Sequence, residues 1–135
     1  MSPQSQIQTF LAGKRFAVVG ASNDRSKYGN KVLRCYQQNK IEVVPINPTA
    51  SEVEGLTAYA DLASAPGAFD GISIITPPTV TERVVNDALR LGIKNFWMQP
   101  GAESDRAIEA AEAAGANVIA HGPCILVSLR YRDDV

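Results

Sequence analysis

Short runs of β-branched and aromatic residues, each followed by a longer stretch of helical period, constrain this chain more than any other feature. Arg15-Phe16-Ala17-Val18-Val19-Gly20 is the first run, and it is apolar on both faces, as a strand covered from two sides must be. Val32, Leu33, Tyr36 and Gln37 then recur at i, i+1, i+4 and i+5, which predicts a helix over 28–39. Glu42–Ile46 is the second strand, although Pro45 donates no ladder bond and suits an edge. Residues 48–68 are the least periodic, with a short element expected near Val53–Gly55 and a helical turn at Tyr59–Leu62.

Gly71–Ile75, Asn95–Met98 and Asn117–Ala120 continue the strand series. The helix predicted over 79–91 carries Val80, Val84, Ala88 and Leu91 on one stripe, with Thr79 or Thr81 as cap and Gly92 as terminator. Over 104–114, Ser104 offers a cap, Asp105 stands in the first turn and Gly115 ends the helix. Strands joined by helical connectors are parallel with right-handed crossovers. The expected fold is therefore α/β: a doubly wound parallel sheet of about five strands in a Rossmann-type three-layer sandwich, one domain over 1–135.

Charge and cysteine usage narrow the function classes. Lys plus Arg total 13 against 14 Asp plus Glu, so there is no basic footprint for nucleic acid or an anionic membrane. Apolar runs are far too short for a spanning helix. Cys35 and Cys124 make neither a disulfide framework nor a metal-ligand cluster, and the first 14 residues lack the pattern of a signal or transit peptide. A cytoplasmic location is the expectation, with no metal.

Ligands of doubly wound sheets bind beyond the carboxyl ends of the strands. Those ends here are Gly20-Ala21-Ser22, Asn47-Pro48, Thr76-Pro77-Pro78, Gln99-Pro100-Gly101 and His121-Gly122-Pro123-Cys124, all rich in small residues or proline. The stretch from Gly20 to Gly29 leaves a strand and opens a helix, which makes it an anion site with Arg25 and Lys27 beside it. The competing reading is that Gly20 and Gly29 serve only a tight turn and close packing. A dinucleotide site would have G-x-G-x-x-G and an acidic residue after the second strand. Ser22, Arg25 and Asn47 stand at those places, so a nicotinamide-dependent oxidoreductase is the second choice.

VVGASNDRSKYG, VVPINP, the Gly55-Tyr59-Leu62 stretch, WMQPG and NVIAHGPC, in that order, resemble the stand-alone CoA-binding domain proteins. That family is similar to the CoA-binding domain of the succinyl-CoA synthetase alpha subunit and of ADP-forming acyl-CoA synthetases. The resemblance covers Lys14 to Cys124 and implies non-catalytic binding of CoA or a short acyl-CoA. It implies that Gly20, Ala21, Ser22, Arg25 and Lys27 face the pyrophosphate or 3′-phosphate, and that Asn47 and Pro48 border the adenosine. It further implies that Thr76, Pro77, Pro78, Gln99, Pro100 and Gly101 flank the pantetheine arm. A free subunit of an acyl-CoA synthetase, acting with a partner chain, is the alternative. Relatives usually carry Asp-Arg-Cys where this chain has Gly122-Pro123-Cys124, and the more apolar tail is expected on the body or on a second copy as a homodimer.

Other candidates for chemistry have plainer readings. His121 is the only histidine, and a hydrogen-bonded structural role is expected rather than a base. Cys124 at the rim reads either as a small hydrophobe or as a thiol meeting the CoA sulfur. Cys35 and Trp97 read as core, and Glu103, Asp105, Glu109 and Glu112 as a solvated helix face. No convergent nucleophile and base emerges, so no catalytic residue is assigned.

Overall fold

The computed structural model describes residues 2–133. Five parallel strands form its sheet: β1 (Arg15–Val19), β2 (Glu42–Ile46), β5 (Gly71–Ile74), β6 (Asn95–Met98) and β7 (Asn117–Ile119). A separate antiparallel pair, β3 (Glu52–Val53) and β4 (Leu56–Thr57), follows β2 in the chain. The order across the sheet is β2-β1-β5-β6-β7, so the chain reverses its direction of travel between β1 and β5. At that reversal the two neighbouring crossovers leave on opposite faces and open a crevice at the carboxyl ends.

Alternation along the strands divides two apolar layers. Phe16, Val18, Trp97 and Ile119 pack with α1 (Pro3–Leu11), α2 (Tyr28–Gln38) and α5 (Ile125–Ser128). Ala17, Ile72, Ile74, Phe96, Met98 and Val118 pack with α3 (Pro78–Arg90) and α4 (Asp105–Ala113). Both layers contain fully buried aromatic or branched side chains, the term that dominates folding. Ser73 is the polar exception on the α2 side, and its Oγ lies 2.7 Å from the Tyr36 hydroxyl. Phe10 of α1 stacks on Phe16 at 5.0 Å and meets Trp97 edge-on at 5.3 Å. The Trp97 indole N–H donates to the Pro123 carbonyl at 3.0 Å, tying the core to the 121–124 rim.

Several expectations need correction. Nothing in the sequence reading anticipated α1, although Ser2 caps it, Pro3 suits its first position, and Ile7, Phe10 and Leu11 form its apolar stripe. Its Gln6 is tied to β7 twice: Gln6 Nε2 donates to the Val118 carbonyl, and Asn117 Nδ2 donates to the Gln6 carbonyl. Tyr59–Leu62 is not helical; Tyr59 bridges Ile46 instead, its N–H donating to the Pro45 carbonyl. The outer position of β2 explains why Pro45 is tolerated there. Neither Thr79 nor Thr81 caps α3, which starts at Pro78 after Pro77 with no side-chain cap, while Thr81 is buried against Thr76. The stripe read across α3 also splits: Thr81, Val85 and Ala88 face the core, whereas Val80, Val84 and Leu91 look toward the crevice. The tail forms α5, with Ile125 fully buried, and so packs on the body.

Candidate functional site

The first strand ends at Gly20, which has φ +100° and lies against the backbone of Ile75. A β-carbon there would sit 2.1 Å from the Ile75 carbonyl oxygen, so only glycine lets the β1 and β5 ends approach this closely. Their approach forms the floor of the crevice. Gly29, in the first turn of α2, has its own role in packing: a β-carbon would lie 1.9 Å from the Gly20 carbonyl oxygen.

Two helices start at this reversal point, and neither has a side-chain cap. α2 follows Lys27, and α3 follows Pro77. By contrast Ser2 caps α1 and Ser104 caps α4. An uncapped first turn leaves backbone N–H groups and the positive end of the helix dipole for an anion. The loop between β1 and α2 is itself ordered by short-range bonds. Ser22 Oγ accepts the Asp24 N–H at 3.0 Å, and Asp24 Oδ1 accepts from the Ser26 N–H and hydroxyl.

The same loop is fastened to the β3–β4 turn. Asn23 Nδ2 donates to the Glu52 carbonyl, and Asn30 Nδ2 donates to Glu54 Oε2 at 2.8 Å. Both Arg25 donors reach Glu54, Nη2 to Oε1 at 2.8 Å and Nε to Oε2 at 3.2 Å. Arg25 and then Asn30 hold the Glu54 carboxyl below its ordinary value. Arg25 is therefore paired within the chain, although its side chain stays mostly exposed, and its charge is partly offset where the sequence pattern puts a free cation. Asn47 is likewise engaged: Nδ2 donates to the Ala21 carbonyl, and Oδ1 accepts the Thr49 and Ala50 N–H groups. It clamps the β1 and β2 loops together.

Beside these loops lies a cavity of about 450 Å³. Gly20, Pro48 and Thr76 of the expected residues line it. Its walls also use Val19, Ile46, Leu62, Val80 and Val84, and its mouth carries Asp61, Arg83, Asp87 and Arg90. The stripe of Val80, Val84, Ala88 and Leu91 is visible in the sequence, but not that Val80, Val84 and Leu91 border a cavity; the spacing 80, 83, 84, 87, 90, 91 is the available signal. Pro77 and Pro78 stand at the start of α3, and Pro100 is exposed while Gly101 turns with φ +97°.

A second cluster occupies the β6 end. Gln99 is fully buried; its Oε1 accepts the Ile125 N–H at 3.1 Å and the Tyr28 hydroxyl at 3.4 Å. Its Nε2 is the one buried side-chain nitrogen or oxygen without a partner among the described residues. The Tyr28 hydroxyl also bonds Cys124 Sγ, and burial followed by that contact pushes the phenol well above its usual range. Tyr28 was not anticipated, because its partners lie 71 and 96 positions away. Cys35, buried as expected, is pushed up to about 12 by burial and then by Cys124. His121 corrects its expectation: it is exposed, has φ +61°, and its charged neighbour among the described residues is Asp105 at 3.9 Å. The described residues contain no group of three or more His, Cys, Asp or Glu that could hold a metal, and none of their helices is long and apolar enough to cross a membrane.

The chain is similar to several known proteins. The family model described as "CoA binding domain" matches residues 14–130. A solved structure of a conserved hypothetical protein from Pyrococcus furiosus superposes with a TM-score of 0.80 at 38% identity, covering 85% of this chain and 98% of that one. The uncharacterized protein YneT of Bacillus subtilis is 28% identical over 117 residues, 86% of this chain and 87% of its own length. The alpha subunit of an ADP-forming acetate–CoA ligase II from Pyrococcus furiosus is 34% identical over 91 residues, 65% of this chain but 20% of that subunit.

Proposed function

Because this chain belongs to the CoA-binding domain family, we propose that it holds coenzyme A, free or carrying a short acyl group, across the carboxyl ends of its sheet. The observation that carries this reading is the cavity at the strand-order reversal, flanked by the uncapped starts of α2 and α3. In this reading the pyrophosphate lies against Gly20, Ala21, Ser22 and the first turn of α2, with Lys27 beside it. The purine occupies the apolar part of the cavity between Ile46, Pro48 and Val84. From there the pantetheine arm passes Thr76, Pro77 and Pro78 toward Gln99, Pro100 and Gly101. Tyr28 and Cys124 stand at its far end, where the unpartnered Gln99 Nε2 fits an amide or thioester carbonyl of that arm.

Binding rather than turnover is the role proposed for the isolated chain. The ligase subunit it resembles is named for joining acetate to CoA, and this chain spans about a fifth of it. His121 is the only imidazole, lies outside the cavity lining and is exposed, which ill suits it to hold a phosphoryl group in a water-excluded site. Native mass spectrometry of the purified protein tests the ligand directly, with an added mass of CoA or an acyl-CoA expected. Calorimetric binding of NAD as tight as that of CoA would overturn the assignment.

A further inference from the structure

α3 presents two faces. One buries Thr81, Val85 and Ala88 in the core, and the other carries Val80, Arg83, Val84, Asp87, Arg90 and Leu91 along the cavity. The second face places charge at the cavity mouth over an apolar wall, an arrangement suited to a ligand with a flat heterocycle and an anionic substituent.

The charged groups at that mouth are not equivalent. Arg90 Nη1 pairs with Asp87 Oδ1 at 3.2 Å, so these two offset each other. Asp61 Oδ1 accepts the Ser64 N–H at 2.8 Å and is held in its own turn. Arg83 makes no hydrogen bond, ion pair or ring contact among the described residues. Arg25 lies outside the cavity lining and is held by Glu54. Arg83 is thus the arginine at this cavity whose guanidinium fork is open.

We propose that Arg83 reads the 3′-phosphate of the bound adenosine, and so lets the chain distinguish CoA from 3′-dephospho-CoA. The inference rests on the CoA reading above and adds to it the residue that sets this preference. With the pyrophosphate at the helix starts and the purine against Pro48, the proposed ribose would lie between them, and a 3′ substituent directed away from the apolar wall would meet the charged lining that includes Arg83. Arg83 is five residues into α3, about 7.5 Å along the helix from Pro78, a spacing that separates it from the pyrophosphate site. A guanidinium meets a phosphate through two parallel N–H donors, which an ammonium cannot reproduce.

Calorimetry with CoA and with 3′-dephospho-CoA tests this on the wild-type chain, Arg83→Gln, Arg83→Lys and the control Arg106→Gln on α4. The wild type is expected to prefer CoA by about tenfold, the scale of one charge-assisted contact at an accessible site. Arg83→Gln should bring the ratio close to one while leaving the affinity for 3′-dephospho-CoA within about twofold, Arg83→Lys should restore part of it, and Arg106→Gln should leave it unchanged. An undiminished ratio in Arg83→Gln, or no preference in the wild type, overturns the role of Arg83 while CoA binding stands. Failure of the wild type to bind either compound overturns the CoA reading itself. Unchanged thermal melting of Arg83→Gln confirms that the side chain, rather than the fold, is being measured.

Discussion

Gly29 packs its α-carbon against the carbonyl of Gly20, and an added methyl group would lie 1.9 Å from that oxygen. The obstacle is backbone and has little room to give, since Gly20 is itself wedged against Ile75. Gly29→Ala should therefore lower the unfolding free energy by about 2–3 kcal/mol, the range for overpacking a rigid site. Urea denaturation followed by circular dichroism reads this, and an unchanged midpoint would contradict the packing described.

Lys27 and Arg25 should differ in their effect on CoA. Lys27 stands at the uncapped start of α2, whereas Arg25 is held by both oxygens of Glu54. Lys27→Ala is expected to weaken CoA by about three- to tenfold, and Arg25→Ala by less. Calorimetry on the two single variants decides it; the opposite ranking would place the anion near the β3–β4 turn.

Gln99→Leu separates stability from binding. The substitution removes the unpartnered Nε2 donor but leaves the Ile125 N–H without its acceptor. The two effects oppose each other, so stability should change by no more than about 1 kcal/mol. CoA should weaken by a similar amount if Nε2 meets the pantetheine arm. A stable variant with undiminished CoA affinity would remove Gln99 from the site.

Alkylation should distinguish the cysteines. Burial pushes the Cys35 thiol up to about 12, which keeps it protonated and shielded near neutral pH. Cys124 is only half-buried and lies at the rim. Iodoacetamide at pH 8 should label Cys124 first, as mapped by peptide mass spectrometry, and CoA should slow the reaction.

Acid should loosen the loop clamp. Arg25 and Asn30 hold the Glu54 carboxyl below its ordinary 4.5, and the Lys14 and Arg15 backbone N–H groups hold Asp70 below its ordinary 3.8. Carboxyls with depressed values contribute stability that is complete above their unfolded values and lost as pH falls through the folded ones. Stability should be flat from pH 7 to about 5 with respect to these groups and decline below 4.5. Glu54→Gln should shallow that decline, and an identical acid limb in the variant would argue against the clamp.

The five strands were legible because each is a short apolar run bounded by turn residues, and the helices because Ser104, Gly92 and Gly115 punctuate them. The loops at the carboxyl ends followed from topology alone. What stayed hidden was mostly non-local. No spacing in the sequence announces that Arg25 meets Glu54, that Asn47 ties down Ala21, or that Tyr28 reaches Cys124. α3 shows a different limit: a helix beside a cleft extends its apolar surface past the core, so pattern alone does not separate Val85 and Ala88 from Val80 and Val84. α1 is announced in the sequence only by Ser2-Pro3 and the Ile7, Phe10, Leu11 spacing, a weak signal in a helix of nine residues.

Trp97 is the only tryptophan in the chain, and its fully buried indole is bonded to the carbonyl of Pro123 in the rim that carries Cys124. The protein thus carries an intrinsic fluorophore bonded to the rim at the carboxyl ends of its sheet. A ligand that shifts residues 121–124 alters the hydrogen bond on the indole nitrogen, and with it the emission wavelength. In the proposed binding mode, occupancy at the sulfur end would be readable optically, without label or mutation, while a ligand confined to the α3 end would leave the emission unmoved.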